Sequence, residues 1–156
     1  MSHILNHAMK SDPPISYRRP PPPSLDTARL EEFAEIVRKR VLPKHEFHCL
    51  ITGDKESREL NRRFRRRNYP TDVLSFPLPE NAGGEVAISL GRARAQAREF
   101  GHALEDEICI LILHGALHLA GMDHETDSGE MARAEARWRK TLALPNGLIA
   151  RADASQ

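Results

Sequence analysis

The segment from Ile108 to Leu113 is apolar in every direction around a helix, and it constrains the fold more than any other stretch of the chain. Three acidic residues, 105–107, precede it and favour a helix N-terminus, because negative charge suits that end of the helix dipole. A helix that is apolar all round must be buried by the structure around it. We therefore predict a buried helix that begins at Leu104 and ends before Gly121.

Hydrophobic periodicity and turn residues predict the elements around this helix. Predicted helices span 25–41, 54–64, 90–100 and 128–144, and predicted strands span 47–52, 71–78 and 84–89. Ser24 offers an N-cap to the first of these helices, and Pro43 stops it. The last two strands are separated by a short loop and are expected to be neighbours. Helices and short strands are therefore mixed along the chain.

The chain has 156 residues, the size of one ordinary domain, and its N-terminus differs from the rest in composition. Residues 1–23 include Pro13, Pro14 and the run from Pro20 to Pro23, which favour neither a helix interior nor a central strand. We predict a Pro-rich, irregular or extended arm over 1–23 and a single domain over 24–156. No apolar stretch is long enough for a membrane span and no secretory signal is visible, so we expect a cytoplasmic protein without a membrane partner.

Three histidines follow the apolar segment with a spacing that suits a metal ion: His114, His118 and His124. The first two lie on one helical face with Cβ atoms about 5–6 Å apart, within reach of a shared ion. Gly121 can adopt a left-handed conformation and turn the chain, so that His124 approaches from outside the helix. Three unpaired imidazoles beside a buried helix would lose hydration without compensation. The segment therefore predicts one metal ion held by three imidazoles.

Three protein ligands leave one coordination position open. In zinc sites this is typical of catalysis, because a water bound there becomes a source of hydroxide. The spacing matches the metzincin protease pattern HExxHxxGxxH, except that Gly115 stands in place of the glutamate. That glutamate is the general base of the protease, so peptide hydrolysis by the metzincin route is not expected. The pattern favours a metal-dependent hydrolase with a different chemistry.

The segment from Asp54 to Arg67, called the basic segment below, carries seven cationic and three acidic residues, although the net charge of the chain is only +1. Such a segment can attract a polyanion such as RNA, or it can be a solvated helix face. Its cations are Lys55, Arg58, Arg62, Arg63, Arg65, Arg66 and Arg67. Both interpretations stay open on the charges alone.

The histidine segment reads HGALHLAGMDH and resembles the HGxLHLxGxDH signature of the YbeY family. Other stretches are similar to further patterns of that family: ESRELN at 56–61, the pair Phe64-Arg65, PTDVLSFP at 70–77 and GEVAIS at 84–89. Glu85 stands where the family usually has aspartate, and Met131 and Glu135 match an MxxxE pattern in the last predicted helix. The resemblance covers roughly residues 46–144 and leaves the N-terminal arm outside it.

The resemblance implies an α/β (α+β) fold, in which a small mixed sheet is flanked by helices and one helix carries a metal as in zincins. It also implies a single-strand-specific, metal-dependent endoribonuclease of ribosomal RNA maturation and ribosome quality control, with RNA and the ribosome as partners. Zinc, one ion per chain, is the implied metal, and His114, His118 and His124 are its implied ligands. Arg65 matches the family's functional arginine, and we expect its guanidinium to hold the phosphate during catalysis. The alternative is a solvated cation at a helix end.

Two other functions are compatible with the residues. A metalloprotease or amidase would need a carboxylate base from elsewhere, such as Glu85 or Asp123. A non-catalytic, ribosome-associated RNA-binding factor would use the ion only to brace the fold, although the open coordination position argues against this. An alternative role for Asp123 is to orient a histidine without contacting the substrate.

Overall fold

The computed structural model describes residues 13–65 and 72–145, but not the side chains of Phe64 and Arg65. A four-stranded mixed sheet lies at its centre, with the strand order β1-β2-β4-β3. The strands are β1 (Ile15–Tyr17), β2 (Glu46–Thr52), β3 (Val73–Pro77) and β4 (Gly83–Ser89). β1, β2 and β4 run parallel, whereas β3 is antiparallel to β4 at one end of this order.

Helices flank the sheet throughout the described residues. They are α1 (Thr27–Ile36), α2 (Asp54–Arg65), α3 (Leu90–Phe100), α4 (Leu104–Leu119) and α5 (Glu130–Thr141). A π-helical turn, Val37–Val41, continues α1, and a 3-10 turn, Pro79–Asn81, lies between β3 and β4. Within the described ranges, no helix combines the length and the apolar composition that crossing a bilayer requires. The predicted fold, a small mixed sheet flanked by helices, is confirmed.

Helix α4 is the central packing element. It lies against β3 and β4 and also contacts α1, α3 and α5. Every residue from Ile108 to Leu113 is buried, as the apolar composition on all sides of the helix predicted. The core around α4 includes one face of the sheet, with Phe47 of β2 and Val86 and Ile88 of β4. The prediction of a buried central helix is therefore confirmed.

The opposite face of the sheet has a smaller cluster of buried side chains. Leu60 of α2 packs there with Leu74, Phe76 and Ala87 of β3 and β4. Side chains alternate between the two faces along a strand, so Ala87 points away from α4 while its neighbour Val86 points toward it. The two faces of the sheet therefore hold separate groups of side chains, with α4 on one face and α2 on the other.

Two details near the N-terminus differ from those predicted. The Pro-rich arm contributes β1, which pairs in parallel with β2 and places Ile15 opposite Cys49. An outer strand tolerates nearby prolines because only one of its sides is bonded to the sheet. The cap of α1 is Asp26 and not Ser24, since the Asp26 side chain accepts a hydrogen bond of 3.1 Å from the backbone nitrogen of Arg29.

Gly115 allows α4 to approach β4 closely. A Cβ atom at this position would lie 2.8 Å and 2.9 Å from the two Cγ atoms of Val86. The carbonyl oxygen of Gly115 also accepts a hydrogen bond of 3.2 Å from Ser75 Oγ of β3. A larger residue at position 115 would push the helix away from the sheet, because protein interiors are close-packed. Close packing is therefore a physical reason why position 115 does not hold the glutamate of the protease pattern.

We expect Gly115→Ala to lower the free energy of unfolding by about 1–3 kcal/mol, the usual cost of overpacking a core. The intrinsic helix preference of alanine acts in the opposite direction and reduces the loss. Urea unfolding measures the change. The double variant Gly115→Ala/Val86→Ala should lose less stability than the sum of the losses of the two single variants, because Val86→Ala makes room for the added methyl group. Equal stability of Gly115→Ala and the unaltered protein would contradict the close packing.

Candidate metal centre

Three histidines come together at the C-terminal end of α4. His114 and His118 lie on successive turns of the helix, and Gly121, with a φ of 95°, turns the chain so that His124 returns from the following loop. The ring centroids are 4.8 Å apart for His114 and His118, 5.6 Å for His114 and His124, and 5.8 Å for His118 and His124. One nitrogen of each ring lies within 4.8 Å of the other two. The three rings could therefore hold one metal ion.

Two of the three rings are oriented by hydrogen bonds from their Nδ1 atoms. His114 Nδ1 donates to a carboxylate oxygen of Glu135 on α5 over 2.8 Å, and His118 Nδ1 donates to the carbonyl oxygen of Met122 over 3.0 Å. Both rings therefore keep a lone pair on Nε2, the atom available to a metal. A carboxylate behind a histidine ligand fixes the ring orientation and raises its basicity. Buried Glu135 is placed to do this for His114.

Burial decreases across the three rings from the helix to the loop. His114 is buried, His118 is half-buried and His124 is exposed. Burial lowers the pKa of His118 below its ordinary value, and the nearby His114 lowers this pKa further. A lower pKa favours the neutral imidazole, which is the form that binds metals. His118 is therefore ready to bind a metal without first losing a proton at neutral pH.

A cavity of about 540 Å³ opens over the three histidines. Its walls also include Val73, Ser75 and Pro77 of β3, Asn81 of the 3-10 turn, and Asp123 and Glu125 of the loop after α4. In the described residues, no further histidine, cysteine or carboxylate joins the three rings as a potential ligand. Structural zinc sites are usually closed by four protein ligands, whereas catalytic sites keep one position accessible. The donor set and its access from the cavity therefore fit a catalytic metal.

Comparisons with known proteins agree with this geometry. The family model for Endoribonuclease YbeY matches residues 24–143. The chain belongs to the YbeY endoribonuclease family. The Endoribonuclease YbeY of Solibacter usitatus is 56% identical over 137 residues, which cover 88% of this chain and 92% of that protein. That of Koribacter versatilis is 48% identical and covers 78% of this chain and 81% of that protein.

A solved structure supports the fold as well. The solution structure of TM1509 from Thermotoga maritima is 33% identical and matches with a TM-score of 0.52, over 72% of this chain and 80% of that one. Membership of the YbeY family confirms the predicted class of enzyme, an endoribonuclease and therefore a hydrolase. The family match begins at residue 24 and so includes α1, which lies before the part covered by the motif resemblance.

The two carboxylates considered as bases for peptide hydrolysis lie in different places. Glu85 of β4 points to the sheet face opposite α4, where its Oε2 is 2.5 Å from Nδ1 of His48. Asp123 lines the metal cavity, but its Oδ1 accepts a hydrogen bond of 3.0 Å from the backbone nitrogen of Glu125. No hydrogen bond joins Asp123 to a histidine in the part of the chain that the structure describes. Glu85 is therefore outside the metal cavity, and Asp123 stabilises the loop.

Arg65 and part of the basic segment lie at the limit of the described residues. Arg65 is the last residue of α2, but its side chain is outside the described part, as are Arg66 and Arg67 altogether. Arg62 is exposed, and its Nη2 lies 2.6 Å from both carboxylate oxygens of Glu59. This cation is on a solvated helix surface, where an ion pair is easily exchanged for another anion. The catalytic role of Arg65 and the RNA contacts of the basic segment stay predictions.

Sequence reasoning missed two features of the cavity. Glu80 and Asn81 both have a φ of 60°, and such left-handed residues other than glycine are uncommon outside turns and functional sites. Asn81 brings an amide side chain to the cavity wall, and the ease with which asparagine adopts this conformation was the available signal. Glu135 was recognised only as part of a family pattern, because its contact with His114 joins two helices that are distant in sequence.

We expect Glu135→Gln to keep the fold and to lower the affinity for zinc about 10- to 100-fold, since glutamine keeps the shape but not the charge behind His114. Titration of metal-free protein in competition with a chelator measures the affinity. Glu130→Gln, at an exposed position of the same helix, is the matched control and should bind zinc like the unaltered protein. His114→Ala should lose most of the metal. Unaltered affinity in Glu135→Gln would mean that Glu135 only packs against the ring.

Proposed function

We propose that this protein is a zinc-dependent endoribonuclease that cleaves single-stranded RNA during ribosomal RNA maturation, with His114, His118 and His124 as the zinc ligands. The proposal rests on three adjacent imidazoles beside an open cavity, in a chain whose relatives are named for endoribonuclease activity. When bound to three protein ligands, zinc supplies a nucleophile for hydrolysis near neutral pH by lowering the pKa of a water molecule.

The chemistry of the donor set supports zinc as the ion. Three neutral imidazoles suit zinc, copper, iron or nickel, whereas calcium and magnesium prefer oxygen ligands. Zinc needs no redox partner and is stable with three protein ligands and one open position. The lowered pKa of His118 favours binding at neutral pH, where protons would otherwise compete with the ion.

Arg65 is the proposed phosphate-binding residue. It matches the family's arginine, and it ends α2 just before the segment that leads into β3. Val73 and Ser75 of that strand line the metal cavity, so the chain passes from Arg65 to the cavity wall within one connection. A planar guanidinium can pair with two phosphate oxygens at once and can stabilise the charge that develops on them during cleavage.

The biological setting belongs to the same proposal. We infer a cytoplasmic protein that acts on ribosomal RNA, associates with the ribosome and serves ribosome quality control. The endoribonuclease relatives and the cationic character of the basic segment support this inference.

Peptide hydrolysis is the second candidate, and one observation favours it. β3 is the last strand in the sheet order, and its residues line the metal cavity, so an extended peptide could add to its edge. Gly115 argues against this function, because the helix supplies no carboxylate base to the metal cavity.

Cleavage assays separate these functions. Labelled single-stranded RNA, the matching duplex and an unstructured peptide are each incubated with the protein, with a chelator, and with a chelator followed by zinc. Cleavage of single-stranded RNA alone, lost with the chelator and restored by zinc, is the expected result. Peptide cleavage would favour the second candidate, and metal binding without any cleavage would favour a non-catalytic RNA-binding factor.

We expect Arg65→Ala to keep the fold and the metal but to lower RNA cleavage by about 10²-fold, the scale of one lost electrostatic donor. Arg65→Lys should recover only part of the rate, because lysine keeps the charge but lacks the planar fork of the guanidinium. Arg94→Ala, at an exposed position of α3 outside the basic segment, is the control and should cleave normally. Full activity in folded, metal-loaded Arg65→Ala would exclude the catalytic role.

We also expect the affinity for single-stranded RNA to fall as salt rises, with a slope that tracks the number of phosphate contacts. Replacing Arg62, Arg63, Arg66 and Arg67 together by glutamine should make the slope shallower, because fewer counterions are then released on binding. Fluorescence anisotropy with a metal-free protein measures binding without cleavage. An unchanged slope would leave the basic segment as a solvated helix face.

A further inference from the structure

A second group of chemically active side chains lies on the sheet face opposite the metal centre. Ser16 of β1, His48 of β2 and Glu85 of β4 come from three adjacent parallel strands. His48 and Glu85 are direct neighbours in the strand register. Because side chains alternate along a strand, Glu85 points away from α4, as its neighbour Ala87 on the same face does. The group is therefore separated from the three metal-site histidines by the sheet itself.

The three side chains form a hydrogen-bonded chain in the order hydroxyl, imidazole, carboxylate. His48 Nδ1 is 2.5 Å from Glu85 Oε2, and His48 Nε2 is 2.9 Å from Ser16 Oγ. A carboxylate on Nδ1 fixes the imidazole with its proton on that nitrogen, which leaves Nε2 to accept the proton of the serine hydroxyl. This is the relation between nucleophile, base and orienting carboxylate that activates a serine in acyl-transfer enzymes.

The three hydrogen-bonded side chains differ in exposure, and a nucleophile of this kind requires an accessible hydroxyl beside a buried base. His48 and Glu85 are both 2% exposed, whereas Ser16 is half-buried and lines a cavity of about 660 Å³. Glu85 contacts the imidazole through Oε2, and in the described residues its Oε1 has no hydrogen-bond partner. The base is thus shielded from water, while the serine lies at the wall of the cavity.

The strand pairing also determines the direction of the backbone amide that follows Ser16. The backbone N–H of Arg18 donates to the carbonyl oxygen of Ile51, and that of Cys49 donates to the carbonyl oxygen of Pro14. The backbone N–H and C=O groups of the even-numbered residues therefore point from β1 toward β2. The backbone N–H of Tyr17, the residue directly after the serine, therefore points away from β2. An amide next to the nucleophile is a suitable donor to a developing oxyanion.

We propose that Ser16, His48 and Glu85 form a second, metal-independent site that hydrolyses small carboxylic esters. Ser16 Oγ attacks the ester carbonyl carbon while its proton passes to His48 Nε2, and Glu85 stabilises the imidazolium. The C–O bond to the alcohol breaks, and the alcohol leaves with the proton from His48. Water then attacks the acyl-serine with His48 again as base, and the carboxylic acid and the free serine are restored.

A fluorophosphonate probe tests the nucleophile directly, because an activated serine oxygen displaces fluoride from it and keeps the phosphonyl group. The full-length protein is treated with the probe in the presence of a chelator, and the adduct is located by peptide mass spectrometry. We expect an adduct at Ser16 and none at exposed Ser24, the matched control. Absence of a Ser16 adduct in the folded protein overturns the proposal.

Variants then test the relay. Ser16→Ala should lose the adduct and the chelator-resistant hydrolysis of p-nitrophenyl acetate, yet keep metal binding and RNA cleavage. His48→Gln, which removes the base, should slow labelling by about 10³-fold, and Glu85→Gln should slow it as well. Circular dichroism and thermal unfolding check the fold of both variants. His118→Ala should label like the unaltered protein, since the metal centre is on the other face. Labelling of a folded His48→Gln or Glu85→Gln variant at the unaltered rate would show a merely structural network and overturn the proposal.

Discussion

The close contact between α4 and β4 fixes the distance between the central helix and the sheet. At Gly115 the helix meets Val86 without room for a Cβ atom, and the Gly115 carbonyl is bonded to Ser75 of β3. These contacts bring the helix against the antiparallel pair at one end of the sheet. The same pair supplies part of the cavity wall, so the packing that buries the helix also determines what stands opposite the metal-site histidines.

The candidate metal centre depends on this packing at each step. A rigid, buried helix holds His114 and His118 one turn apart, and the reversal at Gly121 brings back His124. Helix α5 packs against α4 and places Glu135 behind His114. The most buried ring, His114, is thus held by a hydrogen bond to a carboxylate, whereas His124 is exposed to solvent. A binding site in which burial decreases from His114 to His124 can accept an ion from solvent while His114 and His118 stay in place.

The sequence allowed the elements and the histidine cluster to be predicted because both have local signals. Helical spacing placed His114 and His118 on one face, and Gly121 marked the turn toward His124. The pairing of β1 with β2 had no such signal, because prolines around a three-residue strand hide it and the partner lies far along the chain. The contact between Glu135 and His114 had no local signal either, because the two residues lie on different helices. Local rules predict elements, whereas contacts between distant segments depend on packing.

Three histidine–carboxylate pairs in the described residues show why such a pair alone does not define a function. His114 with Glu135, His48 with Glu85 and His102 with Glu107 have similar distances of 2.8, 2.5 and 2.7 Å. In each pair the carboxylate fixes one ring nitrogen, and the surroundings of the other nitrogen decide the chemistry. That nitrogen faces two more imidazoles at His114 and a serine hydroxyl at His48. His102, by contrast, joins the turn before α4 to the buried Glu107, and this contact stabilises the start of the helix that carries the candidate metal centre.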